Sequence, residues 1–254
     1  MACILHIETA TSVCSVALSV DGEVVFERVS YEGLSHAALL GVFAEEAIAV
    51  AHGAGYQPDA VALSGGPGSY TGLRIGASMA KGLCMGWGTP LIAVETLRLM
   101  ASQAIRHVEK SIDLHNITDK ELASQSICHR EKSDILYCAM LDARRMEVYS
   151  AIYDATLTPV RATAAEILTP QSYQAELERG PVCFFGSGAA KCQSLLPAAN
   201  AIFIDNIHPL ASAMVPLAEQ SFGNQQFADT AYFEPFYLKE FMATVPKKSV
   251  VFSR

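Results

Sequence analysis

Two carboxylates and one glycine-rich loop are the residues of this sequence best suited to chemistry. Glu8 closes the apolar run Cys3–Glu8, and Asp142 closes the run Ile135–Asp142. Acids at two strand ends can face each other across a cleft and hold a magnesium nucleotide, or each can simply bond a turn amide. Between them stands Ser64-Gly-Gly-Pro-Gly-Ser-Tyr-Thr-Gly-Leu-Arg-Ile-Gly76. A loop leading from an apolar strand into a helix commonly holds an anion on the helix N-terminal amides. The spacing here excludes the familiar versions. A P-loop needs G-x-x-x-x-G-K-[ST], and the nearest lysine is Lys81. The third Rossmann glycine would fall at Thr71, and a nucleophile elbow would need glycines where Pro67 and Thr71 stand. What remains is a strand-to-helix turn. Gly65, Gly66 and Gly68 permit positive φ around Pro67, and Thr71 is placed to cap a helix beginning at Gly72.

Metal and redox chemistry find little support. The 7 histidines include no HxxxH or HExxH pair, and Cys128-His129 lacks a second pair of ligands. His36 reads as a cap or surface contact. The 7 cysteines are odd in number and contain no CxxC, so they read as reduced core thiols rather than a disulfide framework. Arg144 and Arg145 suit either an anion contact or an exposed turn, and the sequence does not separate the two.

These residues must be positioned by elements of mixed type. Cys3–Glu8, Val13–Val20 and Glu23–Ser30 form a β-meander whose Asp21-Gly22 pair is a hairpin signal. Ser35 caps a helix to about His52 that is apolar nearly all round, a pattern of burial on two sides. The strand Asp59–Ser64 precedes the glycine loop, and a helix from about Gly72 to Trp87 follows it. That helix carries small residues (Gly76, Ala77, Ala80, Gly82) beside Leu73, Ile75, Met79 and Leu83, as where another backbone comes close. A strand Leu91–Val94 and a helix from Glu95 to about His107 come next. The charged stretch 109–134, with a capping box at Thr118–Glu121, reads as a surface insertion. A second meander follows: Ile135–Asp142, Met146–Tyr153 and a weaker strand near Leu157–Ala162. Then come a helix from Pro170, a strand Val182–Phe185, the turn Gly186-Ser-Gly188, a short helix and a strand Ala201–Ile204. A last helix from Pro209 is expected to bend near Pro216.

Two meanders, each followed by alternating helix and strand, describe a duplicated α/β architecture. Its organisation is expected as 1–106 (first subdomain), 107–134 (polar insertion), 135–207 (second subdomain) and 208–254 (a helix returning toward the first subdomain, plus a tail). The 254 residues are 51% hydrophobic and 17% charged, enough apolar surface for a core and some to spare for a partner. The net charge of −8 argues against autonomous binding of nucleic-acid phosphates. The N-terminus lacks a basic segment of signal-peptide type, and no apolar run reaches membrane-spanning length. A soluble cytoplasmic protein is expected.

Taken together, the segments "ILHIETATSVCSVAL" (4–18), "GGPGSYTGLRIG" (65–76), "AKGL" (80–83), "LDARRMEVY" (141–149), "FFGSGAAK" (184–191) and "EPFYLKEF" (234–241) resemble the TsaB (YeaZ) family. The resemblance spans nearly the whole chain apart from 109–134 and the tail. It implies an α/β, duplicated ribonuclease-H-like fold of the actin-like ATPase type, with two subdomains around a cleft. It also implies a non-catalytic subunit that activates TsaD in threonylcarbamoylation of the adenosine beside the anticodon in tRNAs reading ANN codons. The implied partners are a TsaD-like catalytic subunit and a TsaE-like ATPase, with a homodimer when alone and tRNA met only through the complex. Alternatives within the fold are a small-molecule kinase or ATPase and a glycoprotease-type metallopeptidase. Three departures from catalytic relatives favour the non-catalytic role. His36-Ala-Ala-Leu-Leu40 lacks the second histidine of HxxxH, Glu8-Thr-Ala-Thr11 replaces Asp-x-Gly-Thr, and Asp142-Ala-Arg144 replaces Asp-x-Gly. No cofactor is expected, and any nucleotide cleft is vestigial: Glu8, Thr9, Thr11, Asp142, Gly186 and Gly188. The expected partner interface is Leu39, Phe43, Leu73, Ile75, Gly76, Met79, Ala80 and Leu83.

Overall fold

A computed structural model describes residues 2–33, 35–113, 135–196 and 199–239, with only the backbone of 111–113. The capping box at Thr118–Glu121 and the basic tail lie outside the described residues, as does Cys128.

The first half contains β1 (Cys3–Glu8), β2 (Cys14–Val20), β3 (Glu23–Ser30), α1 (His36–Gly53), β4 (Ala60–Ser64), α2 (Tyr70–Trp87) and β5 (Leu91–Val94). Helix α3 (Thr96–Asp113) leads to the second half: β6 (Leu136–Asp142), β7 (Glu147–Tyr153), β8 (Pro159–Ile167), α4 (Gln174–Arg179), β9 (Val182–Phe185), α5 (Ala189–Gln193) and β10 (Ala201–Ile204). A 3-10 turn at Ser212–Met214 and α6 (Val215–Gly223) follow.

Both halves build a five-stranded sheet of one topology. The first runs β3-β2-β1-β4-β5 and the second β8-β7-β6-β9-β10. In each, three antiparallel meander strands continue into two parallel ones. This repetition is the duplicated ribonuclease-H-like plan. The Asp21-Gly22 hairpin forms as its sequence demands, with φ of 51° and 79°.

Strands buried on both faces read as continuous apolar runs, and β1 and β4 are buried along their whole length. One face of the first sheet packs Leu5, Ile7, Val16 and Leu18 against Leu40, Ala47, Ala77 and Ala80 of α1 and α2. The other packs Ile4, Ala60 and Ile92 against Leu99 of α3 and Met214, Leu217 and Ala218 near the chain's end. Met100, Ala104 and Val108 of α3 cover the second sheet through Tyr137, Ala139 and Phe185. One helix therefore serves two cores.

Several local expectations are corrected. Helix α3 runs to Asp113, past the expected end at His107. Helix α4 begins at Gln174 rather than Pro170, and β8 spans Pro159–Ile167. Pro216 sits in the first turn of α6, where its missing N–H costs nothing, so it starts that helix instead of bending it. The N-cap of α2 is Ser69, whose hydroxyl oxygen accepts the Gly72 N–H at 3.3 Å, and Thr71 is exposed. His36 is no surface contact: it is buried, with Nε2 3.2 Å from the Val13 carbonyl oxygen. The described cysteines are free and buried. No described helix is long and apolar enough to cross a membrane.

Candidate functional site

Glu8 ends β1 fully buried. Its Oε1 accepts the Ala10 N–H at 2.6 Å and its Oε2 accepts the Ser64 hydroxyl. Burial pushes its carboxyl from the ordinary 4.5 up to about 8, against the opposite pull of the Ala10 and Thr9 amides. Burial therefore favours the protonated form of this carboxyl, while the donors on its oxygens favour the charged one. With both oxygens taken by the chain's own donors, the carboxyl has little coordination left for a magnesium ion.

The glycine loop explains the rest of this region. A Cβ at Gly72 would stand 2.1 Å from the Thr9 carbonyl oxygen, one at Gly68 2.3 Å from that of Ala10, and one at Gly76 2.3 Å from Thr9 Oγ1. Thr9 Oγ1 donates to the Gly72 carbonyl at 2.8 Å, and the Ser69 N–H donates to the Ala10 carbonyl at 2.6 Å. The glycines let the loop after β4 close on the loop after β1. On its other side, Gly66 takes φ +100°, and a Cβ there would meet the Phe236 carbonyl oxygen at 2.6 Å. The Phe236 N–H donates to the Gly65 carbonyl at 2.7 Å, and Lys81 Nζ donates to the carbonyls of Ala231 and Phe233 at 2.9 and 3.2 Å. Residues 228–239 thus form a strap over the loop.

The second group gathers at the end of β6. Asp142 Oδ1 accepts Lys191 Nζ at 2.7 Å and the Arg144 N–H at 2.6 Å, and the Asp142 N–H donates to Ser187 Oγ at 3.1 Å. Partial burial pushes the Asp142 carboxyl up, but Lys191 and the Arg144 amide outweigh it and hold the group below its usual range. A Cβ at Gly186, where φ is +91°, would stand 2.4 Å from the Met140 carbonyl oxygen, and one at Gly188 2.9 Å from Val148 Cγ1. These two glycines therefore serve close packing on β6. Arg144 and Arg145 both take left-handed φ, 71° and 50°, with exposed side chains. Such backbone costs roughly 1–2 kcal/mol for each L-residue. The Glu147 carboxylate pairs with Lys239 of the strap, so the strap reaches from the first half to the second.

The expected cleft residues thus fall into two groups, each with its own partners. Glu8 and Thr9 join the glycine loop, with half-buried Thr11 accepting the Val13 N–H at 3.2 Å. Asp142, Gly186 and Gly188 join Lys191. The interface residues divide as well. Leu39, Phe43, Ile75, Met79 and Leu83 are half-buried between α1, α2 and solvent, whereas Leu73, Gly76 and Ala80 face the protein's own core, with Leu73 1% and Ala80 0% exposed. Those three are unavailable to a partner of the folded chain. The outer face of α2 belongs to Ser78, Gly82, Met85 and Gly86, of which the sequence reading singled out only Gly82, as a small residue outside its expected interface.

The profile described as "TsaD: tRNA N6-adenosine threonylcarbamoyltransferase" matches residues 32–119, the stretch holding α1, β4, α2, β5 and α3. The whole chain is 30% identical over 249 residues to the tRNA threonylcarbamoyladenosine biosynthesis protein TsaB of Escherichia coli K12, covering 94% of this chain and 96% of that one. The chain belongs to the TsaB family. The TsaB of Haemophilus influenzae is 27% identical, with 93% of each chain covered. The solved structure of YeaZ from Pseudomonas aeruginosa superposes with a TM-score of 0.70 at 23% identity, covering 94% of this chain and all of that one, and establishes the shared fold. A tRNA N6-adenosine threonylcarbamoyltransferase of Jannaschia is 44% identical over only 63 residues. This TsaB family member therefore carries a local segment closely similar to a transferase, within a chain whose strand-end carboxyls are both already engaged.

Proposed function

We propose that the chain is a non-catalytic, activating subunit in forming threonylcarbamoyladenosine on tRNA, and that it pairs through α1 and α2 with a TsaD-like catalytic subunit. The outer face of α2 carries this reading. Met85 is 74% exposed there, and a Cβ at Gly82 or Gly86 would meet nothing within 4 Å. A helical glycine costs about 1 kcal/mol relative to alanine. Gly72 and Gly76 have a reason inside the chain, the approach of Thr9; Gly82 and Gly86 have none. On α1, exposed Gly41, Val42 and Glu45 lie beside this face, with Gly41 next to Met79. Bare glycines on adjoining helices let another helix pack closely, and a related fold with a related segment offers a matching face. The same face would serve a homodimer when the chain is alone.

The Glu8 carboxyl, buried with both oxygens engaged, and the salt-bridged Asp142 support the absence of catalysis and of a bound nucleotide. A TsaE-like ATPase as third component, tRNA engaged through the complex, and a cytoplasmic setting complete the proposal. Its test is co-purification with a TsaD-like subunit. Met85→Asp and Gly82→Glu should each weaken pairing about thirtyfold, the effect of losing about 2 kcal/mol at an interface centre. Their thermal midpoints should stay near wild type, and reconstituted tRNA modification should fall in parallel. Pairing retained by both variants would sink the proposed face. Titration calorimetry of the isolated chain with Mg-ATP should show no binding; micromolar affinity would overturn the cofactor-free reading.

A further inference from the structure

The turn joining β6 to β7 is built against its own backbone preference. The Ala143 N–H donates to the Glu147 carbonyl and the Glu147 N–H to the Arg144 carbonyl, each at 3.1 Å, and between them Arg144 and Arg145 are both left-handed. Asparagine and glycine enter that region most readily. Two arginines stand there with exposed side chains, while the Lys191 and Lys239 beside them are already paired with Asp142 and Glu147. The strap carries the cationic surface onward. Lys239 Nζ lies 5.9 Å from the Tyr149 ring centre. Two residues earlier, Tyr237 packs 5.0 Å from Tyr70, with the exposed Arg74 guanidinium 4.2 Å over the Tyr70 ring. Glu234 adds an acid close enough to act on the Arg74 guanidinium.

On a chain of net charge −8, this ridge collects the two exposed guanidiniums of Arg144 and Arg145 with half-exposed rings, while Arg74 is held between Tyr70 and Tyr237. Guanidiniums alone would suit any acidic surface. Guanidiniums interleaved with rings suit single-stranded nucleic acid, whose phosphates take the charge and whose unstacked bases take the ring faces. We propose that the Arg144–Arg145 turn and the adjoining strap contact the phosphates and unpaired bases of a single-stranded RNA loop. This rests on the function proposed above and assigns a part of the complex's RNA contact to this chain.

The backbone supplies the decisive variant. Arg144→Asn with Arg145→Gly removes both charges and relieves both left-handed positions, so the protein should fold with unchanged or higher thermal stability. Binding of a labelled RNA hairpin with an unpaired loop is measured by fluorescence anisotropy, for the isolated chain at low salt and for its complex with a TsaD-like subunit. The double variant should bind on the order of tenfold more weakly, and the slope of log K against log salt should fall by about 1.4, near 0.7 for each lost single-strand phosphate contact. Arg144→Lys with Arg145→Lys should keep most of the affinity and the slope. A fully paired RNA duplex should bind more weakly than the hairpin. Equal hairpin affinity of the Asn-Gly variant overturns the proposal, as does a wild-type chain that binds no hairpin either alone or in the complex. An Asn-Gly variant that keeps the hairpin but loses the catalytic subunit also overturns it, in favour of a protein contact. Failure of the wild-type chain to pair with a TsaD-like subunit would instead sink the proposed function, while the titration of the isolated chain still judges the turn.

Discussion

The two halves share a strand order but have been put to different use. Between β3 and β4 stands the 18-residue α1, and between β4 and β5 the 18-residue α2. Their counterparts in the second half, α4 and α5, have 6 and 5 residues. Six residues are enough to cover a sheet edge; 18 on each of two neighbouring helices leave an outer face that the chain's own core does not use. The loops after the first strand of each half diverge in the same way. The β1–β2 loop is sealed beneath the glycine loop, whereas the β6–β7 loop displays two arginines. The difference teaches that duplication supplied two similar frames, of which one keeps surface for helices and the other for charge.

That contrast can be broken first at the glycines. Gly72→Ala drives a Cβ into the rigid Thr9 backbone and should cost on the order of 3 kcal/mol or more. Gly186→Ala should cost a comparable amount against Met140. Chemical denaturation measures both, and co-purification separates them: among molecules still folded, only the Gly72 variant should also lose a TsaD-like partner, because it tilts α2. Equal pairing by both variants would erase the distinction between the halves.

The two strand-end acids give the next largest effect and opposite signs. Folded Glu8 retains a proton that the unfolded chain releases above 4.5, so wild-type stability should fall as pH rises from about 4.5 to about 8. Glu8→Gln should flatten that limb. Asp142 is held below its ordinary 3.8, so its contribution is present above that value and is lost on further acidification. Asp142→Asn should flatten only the acid limb, and slightly, since its side chain is 47% exposed. Thermal midpoints across pH test both, and slopes of the same sign would contradict the contrast. The smallest change should come from Gly82→Ala, which gains up to about 1 kcal/mol in the helix while weakening the proposed pairing.

The meanders, the duplicated plan and the long helices were legible in the sequence because they rest on local signals, such as Asp21-Gly22 and the apolar run of β4. The meaning of the glycine loop was not. Its partners are Thr9 and Ala10 before it and Phe236 far beyond it, so a local reading found a rigid turn and missed a close contact of three segments. The same blindness misassigned α2. Glycines that meet the Thr9 backbone and glycines that meet solvent look alike in a sequence, so Gly76 and Ala80 stood for the surface that Gly82 and Met85 form. The expected Thr71 cap failed because Ser69, two residues earlier, has extended backbone, as an N-cap requires.

The strap ties completion of the first half to the end of the chain. The Ala228 N–H bonds the Leu91 carbonyl at 2.8 Å, covering part of the β5 edge, and Met214 and Leu217 seal one face of the same sheet. On a ribosome, the first sheet therefore emerges with an open edge and a bare apolar face, and waits for the whole second half to be made before its last pieces arrive. Order of synthesis and order of completion run opposite ways. A nascent chain halted before Ala228 would carry all its long helices and still be an unfinished first half, a substrate for chaperones rather than a partner for another subunit.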